Sequence, residues 1–230
     1  MSGSSSKKDA PNSKRPFNSG AMDRFLAAAH KKLSSEAERI DQLFYSYAIT
    51  PPWVIQPQGI DTLCSDLGIH HTDVRILMLA WKMQAEKQGY FTLDEWRRAL
   101  TALRADTIIK LKAALPELER EVRRSSNRAN FYSYAFKYNL TEEKQKFIDT
   151  ETVCALLNLV LRSEFLPQVD ALIHYLKIQT DYRVINMDQW MGFYRFCNEI
   201  NFPELDNYDS DQAWPLIVDD FVDWIRSHRG

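Results

Sequence analysis

The sequence predicts an all-α fold, and three observations support this prediction. From Ala21 onward, apolar residues recur every three or four positions, which is the spacing of helices that bury one face. No stretch alternates apolar and polar residues for long enough to build a sheet. Only 7 glycines and 9 prolines occur among 230 residues, which disfavours glycine-rich phosphate-binding folds and turn-rich sandwiches.

The start of the chain differs in composition from the rest. Residues 1–20 contain six serines, two prolines and four basic residues, with Phe17 as their one aromatic residue. Such a segment cannot bury enough surface to offset the entropy of ordering, so we expect a disordered tail. An N-terminal helix is expected over residues 21–35, where Leu26 and Leu33 lie seven positions apart.

A helical domain is expected over residues 36–227, in two halves, 36–126 and 127–227. Its first helix presents an apolar face of Ile40, Leu43, Phe44 and Tyr47, and Thr50-Pro51-Pro52 interrupts the chain after it. Helices follow at residues 59–67, with Gly68 as the stop signal, and at 73–88, 93–103 and 106–124. The second half carries helices at residues 129–139, 149–162, 167–178, 187–200 and 214–227.

One heptapeptide pattern occurs twice, as Tyr90–Trp96 and as Val184–Trp190. Each copy has two apolar residues, an N-cap (Thr92 or Asn186), a capping-box partner three residues later, and a tryptophan. The second helix of an EF-hand begins in this way. The sequence therefore predicts an all-α domain with two EF-hand-like subdomains.

The two loops before these helices lack the ligands that calcium prefers. In the first loop, the positions of the first three ligands hold Gln84, Glu86 and Gln88, where calcium favours carboxylates. In the second loop, Gln189 replaces the bidentate glutamate. We expect degenerate, metal-free subdomains without a cofactor, and an EF-hand-type signalling adaptor with residual calcium binding stays the alternative.

The sequence shows no catalytic motif. Glycine-rich phosphate loops, H-E-x-x-H and G-x-S-x-G are absent. Cys64, Cys154 and Cys197 lie among apolar residues without a C-x-x-C pair, so we expect reduced, buried thiols. A cysteine-dependent transferase stays open as a further alternative, which replacement of Cys154 or Cys197 would test.

The net charge of −2 conceals an asymmetry between the halves of the chain. Residues 1–128 carry 20 Lys/Arg and 15 Asp/Glu, hence +5, whereas residues 129–230 carry 9 and 16, hence −7. An acidic surface repels nucleic acid and attracts a basic protein surface. No run of about 18 apolar residues that could span a membrane is present.

The last predicted helix combines acidic and large apolar residues. Asp219 and Asp223 lie four positions apart, an arrangement that costs roughly 0.2–0.5 kcal/mol in a helix. Beside the apolar face, this like-charge pair hints at a partner contact; alternatively, the acids only favour the helix N-terminus through its dipole. The apolar face comprises Trp214, Ile217, Val218, Phe221 and Trp224.

Several motifs in order resemble the potentiating-neddylation (PONY) domain of the defective-in-cullin-neddylation (DCN-like) family, over about residues 36–227. They are Leu79-Ala80-Trp81-Lys82, the run from Phe131 to Phe136, Asp188-Gln189-Trp190, Asn207-Tyr208-Asp209, Ala213-Trp214-Pro215 and the run from Asp219 to Val222. The resemblance implies a scaffold-type co-ligase that promotes attachment of a ubiquitin-like modifier to a cullin and forms no covalent intermediate itself.

The resemblance also implies two binding sites. Family members bind the C-terminal winged-helix region of a cullin, and the matching positions here are Asp188, Ala213 and Asp219. A second site takes the N-terminally acetylated methionine of the neddylation conjugating enzyme. Its matching positions are Ile60, Cys64, Ile76, Leu79, Gln88, Phe91, Tyr138 and Leu159.

These implied sites define the expected partners. They are a cullin, the N-acetylated conjugating enzyme and, through the cullin, cullin-RING ligase assemblies, with no nucleic acid and no membrane. We expect a monomer that acts in the nucleus, the cytoplasm or both.

Overall fold

The computed structural model describes residues 19–49 and 51–228. Most of the predicted tail therefore lies outside the described residues. By its internal contacts the chain divides into two units, residues 1–36 and residues 37–230. The described part of the first unit is the beginning of one helix, and all other elements belong to the second unit.

The second unit is built from helices, which confirms the all-α prediction. In the first half of the sequence the helices are α1 (Ser19–Tyr47), α2 (Pro57–Leu67), α3 (Val74–Met83), α4 (Leu93–Leu103) and α5 (Ile108–Arg123). The second half contains α6 (Ser125–Tyr138), β1 (Phe147–Asp149), α7 (Thr150–Val160), α8 (Leu166–Ile178), β2 (Val184–Asn186), α9 (Met187–Glu199) and α10 (Leu216–Ser227). Within residues 19–49 and 51–228, no helix has the length and apolar character needed to cross a bilayer.

Most predicted helix boundaries hold to within a few residues, with two differences. The helix expected at residues 21–35 and the next one form the single helix α1. The prediction of one helix over 73–88 is wrong at its end, because Gln84 adopts a left-handed conformation with φ of 54° and stops α3 after Met83. The N–H of Gln84 then caps the carbonyls of the last turn, as in other left-handed helix ends.

The repeated heptapeptide has the same backbone setting in both halves. Thr92 caps α4 and Asn186 caps α9, and each forms the reciprocal capping box with the residue three positions later. The residue before each cap lies in an antiparallel bridge: Phe91 pairs with Ile55, and Ile185 pairs with Ile148. Two helices separate the bridged residues in each half, so a bridge–helix–helix–bridge–helix order occurs twice. Its relation to an EF-hand stays a prediction.

The tryptophan of each repeat lies at the centre of the core. Trp96 and Trp190 are both fully buried. The indole N–H of Trp96 donates to the carbonyl of Ile40 in α1 at 3.1 Å, and that of Trp190 donates to the carbonyl of Tyr132 in α6 at 2.9 Å. Each tryptophan thus joins the third helix of its repeat to the helix that precedes the repeat. The bond satisfies a donor that would otherwise be buried unpaired.

A buried carboxylate joins α1 to the start of α5. Asp106 is only 3% exposed and pairs with Lys110 at 2.5 Å and with Arg39 of α1 at 2.6 Å. The hydrogen bonds from Lys110 and Arg39 lower the pKa of Asp106 to about 2, so the carboxylate is charged at neutral pH. Within the second unit, this ion pair joins the last part of α1, residues 37–47, to the start of α5.

Candidate functional site

One face of α9 carries the first predicted cullin-binding residue. Asp188 lies in the first turn of α9, where the helix dipole favours a negative charge, and its side chain is exposed. Within the described part of the chain its carboxylate has neither a hydrogen-bond partner nor an ion-pair partner. Gly192 and Arg195 follow at spacings of four and seven residues and therefore continue the same face. The carboxylate of Asp188 is thus available to a partner.

Gly192 allows the segment before α10 to pack closely against α9. A Cβ atom at this position would lie 2.7 Å from Cγ of Pro215 and 3.3 Å from Cγ2 of Val218. Real Cβ atoms do not approach other atoms as closely as the first of these distances. The glycine therefore sets how close Pro215, and with it Ala213, comes to the face that carries Asp188.

Arg195 fixes the second predicted residue, Ala213. Its guanidinium donates to the carbonyl of Ala213 at 3.1 Å and to the side chain of Gln212 at 2.9 Å, and it pairs with Glu199 at 2.8 Å. The same group lies 3.9 Å from the ring centre of Trp214, a cation–π distance. Ala213 is exposed, and its carbonyl is already bonded to Arg195.

Asp219 lies in the first turn of α10 and is held by a tyrosine. The hydroxyl of Tyr208 donates to the Asp219 carboxylate at 2.5 Å, and the Tyr208 ring stacks on Trp214 with centroids 5.4 Å apart. Burial, and then the hydrogen bond to Asp219, raise the pKa of Tyr208, so the hydroxyl keeps its proton. The carboxylate of Asp219 is half-buried and oriented, in contrast to that of Asp188.

The apolar face of α10 does not form part of this surface. Ile217, Val218 and Phe221 are fully buried in the core, so these apolar residues pack inside the protein. The partner contact expected from the like-charge pair Asp219 and Asp223 stays a prediction. The exposed apolar residue is instead Leu216, at 68% exposure. Asp220 accepts a hydrogen bond from Tyr182, and Asp223 is exposed.

The sequence did not identify the residues that brace this surface. None of the motifs described above contains Arg195, and Tyr208 enters only as part of the motif Asn207-Tyr208-Asp209. Arginine and tyrosine are common surface residues, so their type alone carries no signal. The proline at 215 opposite a mid-helix glycine at 192 could have been noticed, but their proximity depends on the tertiary fold.

The predicted acetyl-methionine positions are mostly closed core. Leu79 and Phe91 are at most 1% exposed, and Ile60, Cys64 and Tyr138 are also buried. Ile76 is partly buried and Gln88 is exposed. Leu159 lines a cleft of about 290 Å³ between α3, α5, α6 and α7 that none of the other seven positions lines.

The loop that carries Gln88 is clamped by α6. The hydroxyl of Tyr134 donates to the carbonyl of Ala85 at 2.9 Å, and the hydroxyl of Tyr138 accepts from the N–H of Gly89 at 3.3 Å. The Gln88 side chain donates to that of Asn139 at 2.9 Å. Because the bond to Gly89 is long, it is the weakest of the three contacts. Gln88 and Tyr138 are thus brought together, whereas Leu159 lies elsewhere.

Comparison with known proteins places the chain in a family. A family model described as cullin binding matches residues 110–224. DCN1-like protein 4 of Homo sapiens is 38% identical over 212 residues, which cover 91% of this chain and 71% of that relative. This chain belongs to the DCN1-like family. DCN1-like protein 5 of Rattus norvegicus is 36% identical over 183 residues, covering 80% and 75% of the two chains. DCN1-like protein 4 of Danio rerio is 35% identical over 193 residues, covering 84% and 67%.

The surface formed by Asp188, Ala213 and Asp219, called the acidic surface below, lies entirely within the matched segment. Asp188, Ala213 and Asp219 all lie within residues 110–224, as do the bracing residues Arg195 and Tyr208. Most of the predicted acetyl-methionine positions lie before the matched segment. The family assignment therefore bears most directly on the surface formed by α9 and α10.

The surroundings of all three cysteines raise the pKa of the thiol. Burial raises the pKa of Cys197 to about 12, and burial together with the nearby Asp61 raises that of Cys64 to about 11. Burial also raises the pKa of Cys154. A nucleophilic cysteine needs the opposite shift, because the thiolate is the reactive form. The cysteine-dependent transferase alternative therefore gains no support.

In the first of the two loops predicted to resemble EF-hands, the carboxylate at the glutamate position is bonded to backbone N–H groups. Glu95 is buried, and its two oxygens accept from the N–H groups of Glu86 at 2.9 Å and Thr92 at 2.7 Å. Among residues 19–49 and 51–228, no group of three or more His, Cys, Asp and Glu side chains is arranged to hold a metal ion. The calcium-dependent adaptor alternative has no supporting observation in this family member.

Proposed function

We propose that this protein is a scaffold-type co-ligase that promotes the neddylation of cullins. The observation that carries the proposal is that the cullin-binding family segment, residues 110–224, contains a preorganised acidic surface. In that surface Asp188 has no partner among residues 19–49 and 51–228, and Asp219 is oriented by Tyr208. Proteins of the DCN1-like family are the relatives of this chain over most of its length.

The cullin partner is expected to present basic residues to this surface. Carboxylates at a partly exposed interface mainly steer the encounter and fix the register, and they add less to raw affinity. The proposed contribution of Ala213 is its small size. A larger side chain at this position, next to Arg195, would keep the cullin too far from Asp188 for an ion pair to form. The acidic second half of the chain, at −7, supports the same direction of steering.

A finer part of the proposal concerns the conjugating enzyme. Acetylation of its N-terminal methionine removes an ammonium charge whose burial in an apolar site would be unfavourable. The region around Gln88 and Tyr138 is the proposed docking site. Its support is that the Gln88 side chain is exposed and that the neighbouring hydrogen bond from Gly89 to Tyr138 is long, at 3.3 Å. Two shorter hydrogen bonds, from Tyr134 to Ala85 and from Gln88 to Asn139, also hold this loop. Docking there requires this region to open.

The proposed mechanism is proximity. Holding the cullin and the charged conjugating enzyme on one scaffold raises their effective concentration and orients the thioester toward the acceptor lysine. The raised pKa values of the three thiols support a scaffold that forms no covalent intermediate itself.

In vitro neddylation of a cullin tests this function. Adding the protein is expected to increase the initial rate at least about tenfold, a factor that corresponds to about 1.4 kcal/mol. The increase is expected with acetylated conjugating enzyme and not with the unacetylated form. A triple Cys64→Ala, Cys154→Ala, Cys197→Ala variant that is still folded should retain the effect.

Two results would contradict the proposal in different ways. No stimulation with either form of the enzyme would refute the co-ligase function. Equal stimulation with both forms would refute only the part that involves acetylation.

A further inference from the structure

A second feature adjoins Asp188 and is not used by the proposed cullin contact. It is a cleft of about 460 Å³ between the end of α6, the loop at residues 141–146, β1 and the start of α9. Its walls are apolar, and Asp188 stands at its rim. The apolar wall residues are Phe136, Leu140, Phe147 and Met187.

The side chain of Phe147, which lines this cleft, is exposed to solvent. Its side chain is 49% exposed, whereas its neighbour in the strand, Ile148, is buried in the core. In the antiparallel ladder Phe147 lies opposite Asn186, the cap of α9, so both side chains stand on the same face of the two-stranded sheet. An aromatic ring in this position exposes apolar surface to water, and burying that surface against a partner would be favourable.

The cleft is held in shape by side-chain hydrogen bonds. The Gln145 side chain accepts from the N–H groups of Thr141 at 2.9 Å and Glu142 at 3.2 Å, and it donates to the carbonyl of Phe147 at 2.8 Å. On the other side, the capping box of Asn186 fixes the start of α9. Little ordering entropy would therefore be lost when a partner enters.

Charged groups of opposite sign stand around the opening. Asp188 contributes a carboxylate, and Lys137 and Lys146 contribute ammonium groups, all of them exposed. In the described ranges none of these three side chains forms an ion pair. An occupant that presents a base toward Asp188 is therefore favoured over one that presents an acid there.

We propose that the cleft receives a bulky apolar side chain of the cullin, adjacent in the cullin to the basic residue that pairs with Asp188. This inference rests on the proposed cullin binding and deepens it. The occupant is assigned to the cullin because Asp188 belongs to both the cleft and the acidic surface. All cleft residues also lie within the cullin-binding family segment, residues 110–224.

Titration of a cullin C-terminal fragment into single variants tests this assignment. Phe147→Ala removes one wall and is expected to weaken binding about tenfold. Val184→Ala is the matched control, because Val184 is 48% exposed in the same two-stranded sheet but does not line the cleft. It should bind like the wild type. Phe147→Leu, which keeps an apolar wall, should give an intermediate loss if Phe147→Ala fails to fold.

Ionic strength separates the two kinds of contact. The loss caused by Phe147→Ala is expected to be the same at low and high salt, because the contact is apolar. The loss caused by Asp188→Asn is expected to shrink as salt rises, because exposed charges are screened.

The outcomes distinguish this inference from the function on which it rests. Wild-type affinity of both Phe147 variants, with weakened binding by Asp188→Asn, would overturn the cleft assignment and leave cullin binding in place. Weaker binding of the conjugating enzyme by Phe147→Ala, with unchanged cullin binding, would also overturn it. Failure of the wild-type protein to bind any cullin fragment would overturn both proposals.

Discussion

Asp188 and Asp219 carry the same charge in different surroundings, and the difference decides what each can contribute. Asp188 is exposed and unpaired within the described residues, so neutralising it breaks no hydrogen bond and removes a charge that a partner would use, together with a small favourable interaction with the dipole of α9. Asp219 accepts a hydrogen bond from Tyr208, so replacing it also affects the local structure. Asparagine keeps an acceptor at this position and is therefore the milder substitution.

Gly192 gives the sharpest prediction at the scale of single residues. Alanine is normally more favourable than glycine inside a helix, by roughly 0.5–1 kcal/mol. Here its Cβ would lie 2.7 Å from Pro215, so we expect Gly192→Ala to lower the free energy of unfolding by about 1–3 kcal/mol and to weaken cullin binding. Chemical denaturation and a cullin titration measure both effects.

Thr101→Ala, at an exposed position of α4, serves as the control for helix propensity alone and should be neutral or slightly stabilising. If Gly192→Ala were as stable as the wild type and bound the cullin equally well, close packing of Pro215 against α9 would not matter for the surface.

At the scale of elements, the sequence predicted the helices better than their ends and connections. Some helix ends can be predicted from the sequence because they depend on residues only a few positions apart. Examples are the capping boxes at Thr92 and Asn186 and the helix stop at Gly68. The end of α3 could not be predicted in this way. Its last turn is followed by Gln84 in a left-handed conformation, which glycine adopts readily and glutamine does not, so the residue type gives no stop signal. The strands β1 and β2 are three residues each, too short to show alternation.

The two loops predicted to resemble EF-hands lead to a prediction about calcium binding. We expect no calcium site tighter than about 1 mM, because the oxygens of Glu95 are already bonded to backbone N–H groups and Gln189 carries no charge. Calorimetric titration with calcium, together with melting curves in 1 mM calcium and in chelator, measures this. A stoichiometric site with submillimolar affinity would contradict it and revive the signalling-adaptor alternative.

At the scale of the whole molecule, the net charge of −2 hides the property that matters for binding. The cullin-binding family segment falls mainly in the acidic half of the sequence, which carries −7. The candidate residues of this surface came from the resemblance to a known family, which matches them position by position in this sequence. Three other features of the surface could not be predicted from the sequence, because each joins residues from different elements. They are the hydrogen bond from Arg195 to Ala213, the stacking of Tyr208 on Trp214 and the cleft beside Asp188.

The central claim is that Asp188 and Asp219 together bind the cullin, and one titration tests it directly. The double variant Asp188→Ala, Asp219→Ala is titrated with a cullin C-terminal fragment by calorimetry at moderate salt. Loss of the Tyr208 partner is expected to lower the free energy of unfolding by about 0.5–1.5 kcal/mol, which leaves the protein folded. Glu151→Ala is the matched control, since Glu151 is an exposed acid in the first turn of another helix, α7.

We predict that the double variant binds the cullin at least about tenfold more weakly than the wild type, equivalent to about 1.4 kcal/mol, while Glu151→Ala binds normally. A folded double variant that binds the cullin with wild-type affinity would contradict the claim.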